Sequence, residues 1–233
     1  MTTLNILSGG AAQGLVGSLA AQLKEQTGLA ITGEFGAVGA MADKLRGGTP
    51  ADILILTSAM IATLTREGLV TENSIADVGR VETALAVREA DPLVSASNAA
   101  SLRAALLAAD AIFVPDTKAS TAGIHVAKVL GQLGIAEEVE GRLRIYPNGA
   151  TAMRYMAESD AKRPIGCTQA TEIIATKGIK LSGALPEGCD LATVYTAAVT
   201  SNAVRAREAN VLIDLLTGAN QSHLRERAGF LPI

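Results

Sequence analysis

Residues 4–23 have the sequence LNILSGGAAQGLVGSLAAQL, in which a short apolar run, a turn of small residues and a helical repeat follow one another. The run Leu4 to Leu7 is typical of a buried strand, and Ser8-Gly9-Gly10 is typical of a turn. Three leucines then recur every four residues and predict a helix with one apolar face: Leu15, Leu19 and Leu23. The stretch therefore predicts a β-strand that leads directly into an α-helix.

The same alternation continues along the chain. Further strand patterns lie at residues 29–35, 52–56, 83–87, 111–114, 143–146, 164–167 and 193–199. Helical patterns lie at residues 40–46, 58–67, 99–109, 122–133, 150–158, 203–216 and 221–228. Strands that alternate with helices are typical of an α/β fold whose sheets are mostly parallel and flanked by helices. No Pro-rich linker interrupts the pattern, so any domain boundary has to be crossed by strands.

Composition excludes several classes of partner. The chain has 233 residues, of which 48% are hydrophobic and 18% charged, as in an ordinary globular protein. A net charge of −3 with scattered Lys and Arg argues against nucleic acid and anionic membrane surfaces. Three Phe, three Tyr and no Trp leave few rings on which a sugar could stack. Because no apolar run approaches about 20 residues, membrane insertion is not expected either.

Sequence motifs predict neither a metal nor a cofactor. Cys167 and Cys189 have no closely spaced His, and we expect buried free thiols, with a disulfide as the alternative. Gly9, Gly10 and Gly14 do not have the G-x-G-x-x-G spacing of a dinucleotide site. No signal peptide pattern precedes Leu4, which predicts a cytoplasmic protein as the sequence stands and a periplasmic one if a signal peptide was removed.

Four loops of small residues follow predicted strands and open predicted helices, at residues 8–12, 36–39, 118–123 and 148–151. Small side chains let a ligand approach the backbone, and the first N–H groups of a helix are unpaired donors at its positive end. The loops would emerge at the carboxyl ends of the strands, where ligands bind in open α/β sheets. Together they predict a site for a small anion, although each loop alone is also explained by turn conformation.

The candidate ligand-binding residues come from these loops and from the ends of neighbouring strands. Lys118 and Ser120 could neutralise ligand charge, or Lys118 could simply be solvated. Thr168 and Gln169 could face the ligand or cap the next helix. The full set is Ser8, Gly9, Gly10, Ala11, Gly36, Ala37, Val38, Thr57, Lys118, Ser120, Thr121, Asn148, Gly149, Ala150, Thr168, Gln169 and Tyr195.

Six segments resemble the molybdate-binding family of ABC-transporter substrate-binding proteins: residues 4–11, 27–28, 35–39, 48–55, 148–153 and 165–173. Within them, the small-x-Pro-Ala-Asp segment that ends at Asp52 is the most specific. The resemblance implies the type 2 periplasmic-binding-protein fold, with two lobes joined by crossing strands near residues 81–87 and 193–199. Lobe 1 would comprise residues 1–81 and 197–233 and lobe 2 residues 82–196, with the ligand in the cleft between the lobes. An ABC permease would be the partner if the protein is exported.

The sequence differs from that family where its ligand is selected. The family usually offers serines at the position of Ala11 and at residues 37–39, and Ser8 could compensate only partly for the missing hydroxyls. We therefore expect an organic carboxylate rather than molybdate. Because aconitate isomerase resembles the same family, a cofactor-free isomerase of a small polycarboxylate is the alternative. Its base is left open among Lys118, His125, Tyr146 and Tyr195.

Overall fold

The structure is a computed structural model that describes residues 3–233. Its strands are β1 (Thr3–Gly9), β2 (Ala30–Gly36), β3 (Ile53–Thr57), β4 (Ala76–Arg88), β5 (Ala111–Pro115), β6 (Leu143–Tyr146), β7 (Pro164–Gln169), β8 (Ile179–Ala184) and β9 (Ala192–Val199). Its α-helices are α1 (Gln13–Thr27), α2 (Val38–Arg46), α3 (Ser58–Arg66), α4 (Ala99–Ala108), α5 (Thr121–Gln132), α6 (Ala136–Val139), α7 (Gly149–Ala157), α8 (Ala170–Ile174), α9 (Ala206–Thr217) and α10 (Ser222–Arg227). None of these helices is long and apolar enough to cross a membrane.

The chain divides into two compact units. The first comprises the residues up to Val81 together with Thr193–Ile233, and the second comprises Glu82–Ala192. Tyr195 and Thr196 lie in the first unit, where they pair with Thr57 and Leu56 of β3.

In the first unit, the strand order is β2-β1-β3-β9, and only β9 is antiparallel to its neighbour. Gly9 at the end of β1 lies opposite Gly36 at the end of β2. Thr57 at the end of β3 lies opposite Tyr195 of β9. The carboxyl ends of three parallel strands therefore meet at one edge of this sheet, as the strand–helix pattern predicts. The three leucines that predict α1 are all buried: Leu15, Leu19 and Leu23.

In the second unit, the strand order is β4-β7-β5-β6, and β8 pairs with the other side of β4. Strand β5 is parallel to β6 and β7, whereas β4 is antiparallel to β7. Cys167 and Cys189 are buried in this unit's core as free thiols, as expected. Burial raises the pKa of the Cys167 thiol to about 12, so that it stays protonated and unreactive near neutral pH.

Asp52 holds together distant segments of the first unit. Its side chain is buried, and Oδ2 accepts a hydrogen bond from Asn5 N at 2.8 Å. Oδ1 accepts from Val204 N and Arg205 N, both at 2.9 Å. The predicted helix at residues 203–216 consequently begins later, at Ala206, because the two preceding amides are turned toward Asp52. The specific segment of the sequence resemblance thus has a structural role in this unit.

Candidate functional site

The strand ends of the first unit bring Gly9, Val38 and Tyr195 together. A Cβ atom added to Gly9 would lie 2.9 Å from Tyr195 Cε1 and 3.4 Å from Val38 Cγ2. Tyr195 is itself buried and packs edge-on against Phe230, with ring centroids 6.4 Å apart. Glycine at position 9 therefore allows the backbone of the first loop to approach the start of α2 closely.

Helix α2 begins without a side-chain cap. Ala37 takes the N-cap position in an extended conformation, and no side chain within residues 3–233 accepts from the first turn. The first intrahelical hydrogen bond runs from Met41 N to Ala37 O at 3.0 Å. The N–H groups of Val38, Gly39 and Ala40 precede it and have no intrahelical partner, so they form a donor set at the positive end of the helix.

Two hydroxyls of the first unit that were predicted to face a ligand are already engaged within the chain. Ser8 is fully buried, and its Oγ donates to Gly9 O at 2.9 Å. Thr57 Oγ1 caps α3 by accepting from Met60 N at 3.3 Å. Gly10 and Ala11 lie buried in a 3₁₀ turn between β1 and α1. The Ser8 hydroxyl proton is thus used by the neighbouring carbonyl in this structure.

Helix α5 of the second unit also begins without a side-chain cap, at Ser120. Asp116 Oδ1 folds the preceding loop by accepting from Lys118 N at 2.7 Å and Ala119 N at 2.9 Å. A Cβ atom on Gly123 would lie 2.1 Å from Asp116 O, so only glycine fits there. These contacts hold the loop in place. The first amides of α5 have no intrahelical partner and can act as donors, and the Lys118 side chain is exposed.

Helix α7 presents its first amides to a carboxyl group of the chain itself. Asn148 Oδ1 caps the helix by accepting from Thr151 N at 2.8 Å. Thr168 Oγ1 donates to Glu172 Oε2 at 2.6 Å. A Cβ atom on Gly149 would lie 2.0 Å from both of those oxygens. Of the residues predicted to face a ligand, Gly149, Ala150 and Thr168 hydrogen-bond to the buried Glu172, and Asn148 caps the helix beside them.

The buried environment of Glu172 favours its protonated form. Burial raises the pKa of its carboxyl above the ordinary glutamate value. Hydrogen bonds from Thr168 and from the amides of Ala150, Gln169 and Gly149 lower it again, but only in part. This carboxyl was missed by the sequence analysis, where the only signal was its spacing of four residues from Thr168.

We expect Glu172→Gln to remove a pH-dependent part of the stability. Burial raises the pKa of the Glu172 carboxyl in the folded state. The protonated carboxyl therefore contributes its full stability below the unfolded-state pKa of about 4.3, and this contribution is lost as pH rises through the folded-state pKa. Over that window the wild-type protein should lose stability relative to the variant. Urea unfolding of both proteins from pH 4 to pH 8 measures the difference. If the free energies of unfolding of the two proteins changed with pH in parallel, the raised pKa of Glu172 would be contradicted.

Three buried polar side chains at the end of β7 lack partners; we call Thr83, Gln169 and Thr171 the β7 exit cluster. Both amide atoms of Gln169 and the hydroxyls of Thr83 and Thr171 make no hydrogen bond with any described residue. All three residues are at most 3% exposed. Thr83 lies directly opposite Gln169 in the β4–β7 pair, so both side chains are on one face of the sheet. Buried polar groups are normally hydrogen-bonded, so these three side chains need a partner from outside the described residues, either ordered water or a ligand.

The residues considered as bases have varied surroundings. His125 Nε2 lies 2.8 Å from Cys189 O, a contact that ties α5 to the segment after β8. Tyr146 stacks on Tyr155 with ring centroids 4.7 Å apart, and on Phe113 on its other side at 6.1 Å. These contacts give His125 and Tyr146 structural roles within the second unit.

Comparisons with known proteins agree with this architecture. The family model described as bacterial extracellular solute-binding protein matches residues 4–231. Aconitate isomerase from Pseudomonas sp. is 25% identical over all of this chain and 89% of its own length. The molybdate-binding protein ModA of Escherichia coli is 23% identical over 91% of this chain and 82% of its own length.

Among solved structures, the periplasmic molybdate-binding protein of Azotobacter vinelandii has the same fold. It superimposes with a TM-score of 0.81 at 19% identity and covers 99% of both chains. The fold is therefore that of the type 2 periplasmic binding proteins. With the family match over nearly its whole length, the chain belongs to the bacterial extracellular solute-binding proteins.

Proposed function

We propose that this protein binds a small organic carboxylate through main-chain N–H groups at helix starts in each of its units. The observation that carries the proposal is the uncapped start of α2, which lies beside Gly9 among the small buried residues Ala37 and Val38. Helix starts of this kind bind anions because their amides and their dipole act together. The uncapped start of α5 provides a similar donor set in the second unit.

The side chains of the first unit favour a carboxylate over a tetrahedral dianion. Position 11 and residues 37–39 carry no hydroxyl, and the Ser8 hydroxyl is engaged with Gly9 O. A desolvated dianion would lack hydrogen bonds that contribute about 1.5–3 kcal/mol each when one partner is charged. A planar carboxylate needs fewer donors, and the first amides of one helix can supply them. An ABC permease remains the expected partner if the protein is exported.

One observation favours the isomerase alternative. The relative named aconitate isomerase is 25% identical and spans this whole chain. An isomerase would move a proton of aconitate and exchange it with solvent. Proton NMR of aconitate in deuterated buffer distinguishes the two functions: a binding protein leaves the spectrum unchanged, whereas an isomerase changes it.

We expect Ala37→Asp to weaken carboxylate binding while leaving the protein folded. The new carboxylate suits the extended N-cap position and would accept from the first-turn amides that we assign to the ligand. It would therefore compete with the ligand and repel it. Ser120→Asp should act in the same way on α5. For the wild-type protein, a di- or tricarboxylate at one hundred times its dissociation constant should stabilise the fold by about 2.7 kcal/mol.

Thermal-shift titration with molybdate, sulfate, phosphate and di- and tricarboxylates measures these effects. Ala37→Ser is the matched control, because it caps the helix without adding charge. Undiminished carboxylate stabilisation in both aspartate variants would refute the role of these helix starts. Stabilisation of the wild-type protein by molybdate alone would refute the preference for carboxylates.

A further inference from the structure

We propose that the ligand of this protein is a hydroxycarboxylate, an organic acid that carries a hydroxyl group beside its carboxylate. This inference rests on the proposed function and adds the substrate class. It comes from the β7 exit cluster, whose hydrogen-bonding capacity is unused within residues 3–233. The cluster belongs wholly to the second unit.

Gln169 determines which hydrogen bonds a ligand has to make, because its side chain offers two N–H donors and one carbonyl acceptor. Both ends of the amide are buried and have no partner among the described residues. The requirement is the same whichever way the amide is turned, since either orientation places a donor and an acceptor in the cluster. A ligand that satisfies Gln169 must therefore both accept and donate hydrogen bonds.

The oxygens of carboxylate, sulfate and molybdate ions accept hydrogen bonds but donate none. They could accept from the Gln169 amide nitrogen and from the Thr83 hydroxyl, but they bring no donor to the Gln169 carbonyl, and neither the Thr83 nor the Thr171 hydroxyl is hydrogen-bonded to it. The nearby Thr168 hydroxyl does not supply one, because its proton goes to Glu172 Oε2. A hydroxyl on the ligand supplies the donor and also accepts from a threonine. Because an unsatisfied buried acceptor is costly, the acid without the hydroxyl should bind about ten-fold more weakly or worse.

Matched pairs of acids test this directly by isothermal titration calorimetry. Malate differs from succinate, and citrate from tricarballylate, by a single hydroxyl. At least one hydroxylated acid should bind the wild-type protein about ten-fold more tightly than its matched partner. Gln169→Met should remove that difference, because methionine has similar length but neither donates nor accepts strongly. Gln132→Met, at an exposed position at the end of α5, is the control and should preserve it.

The outcomes separate this inference from the proposed function. Equal affinity within both pairs, with measurable binding, would overturn the hydroxyl requirement and leave the carboxylate proposal standing. A hydroxyl preference that survives in folded Gln169→Met would overturn the role of Gln169. Absence of binding by all four acids would refute the carboxylate proposal, and the inference with it. The wild-type comparison decides the hydroxyl requirement even if Gln169→Met fails to fold.

Discussion

Asp52→Ala is expected to lower the free energy of unfolding by about 3–5 kcal/mol, since three backbone N–H groups lose the buried carboxylate that accepts from them. Three backbone amides from two distant parts of the first unit donate to this side chain, those of Asn5, Val204 and Arg205. Alanine would leave these amides without an acceptor, and unsatisfied buried donors cost more than the loss of a solvated hydrogen bond. The start of α9 should also fray, because the chain before it is held by Asp52.

Urea unfolding monitored by circular dichroism measures the change. Asp43→Ala is the matched control, because the Asp43 side chain is 77% exposed and its pairing with Arg46 lies on the surface. Exposed ion pairs contribute at most about 1 kcal/mol, so that variant should be nearly as stable as the wild-type protein. If Asp52→Ala costs no more than this control, Asp52 does not hold the segments together.

Gly149→Ala should destabilise the second unit by about 2–4 kcal/mol. The new methyl group would lie 2.0 Å from Glu172 Oε2 and from Thr168 Oγ1, far inside contact distance. Either the carboxyl moves away from the helix start or α7 shifts on the sheet, and both disrupt buried hydrogen bonds. The effect is large because the overlapping atoms belong to a buried hydrogen-bonded pair rather than to a flexible surface chain.

Gly131→Ala, in α5, provides the comparison. Nothing lies within 4 Å of a Cβ atom at that position, so alanine should stabilise the helix by about 0.5–1 kcal/mol. Truncating the carboxyl by Glu172→Ala should relieve much of the Gly149→Ala overlap, and a double-mutant cycle measures this coupling. Additive effects of the two substitutions would show that Glu172 does not occupy the start of α7.

Much of the fold follows from periodic patterns of apolar residues. The leucines of α1 and the continuous apolar run of β3 are buried as their patterns predict. Strand β8 was missed because its six residues are mostly half-exposed and include Gly183, which leaves little alternation to detect. The start of α9 was predicted too early because a tertiary contact with Asp52, distant in sequence, decides where that helix begins.

The site was only partly predictable for a similar reason. Local sequence indicates that Ala37 and Ser120 precede helices, and the structure places both at uncapped helix starts. It does not indicate that Glu172 occupies the start of α7, because that depends on how α7 and α8 pack together. Thr83 was likewise missed, since its position beside Gln169 follows from the pairing of strands more than 80 residues apart.

Titration of the ¹⁵N-labelled protein with malate, followed by two-dimensional NMR, tests the central claim most directly. If main-chain amides at helix starts bind the carboxylate, the largest shift changes will be at the amides of Val38, Gly39, Thr121 and Ala122. Shift changes confined to other surfaces, with these amides unaffected by malate, succinate, citrate and tricarballylate alike, would contradict the account.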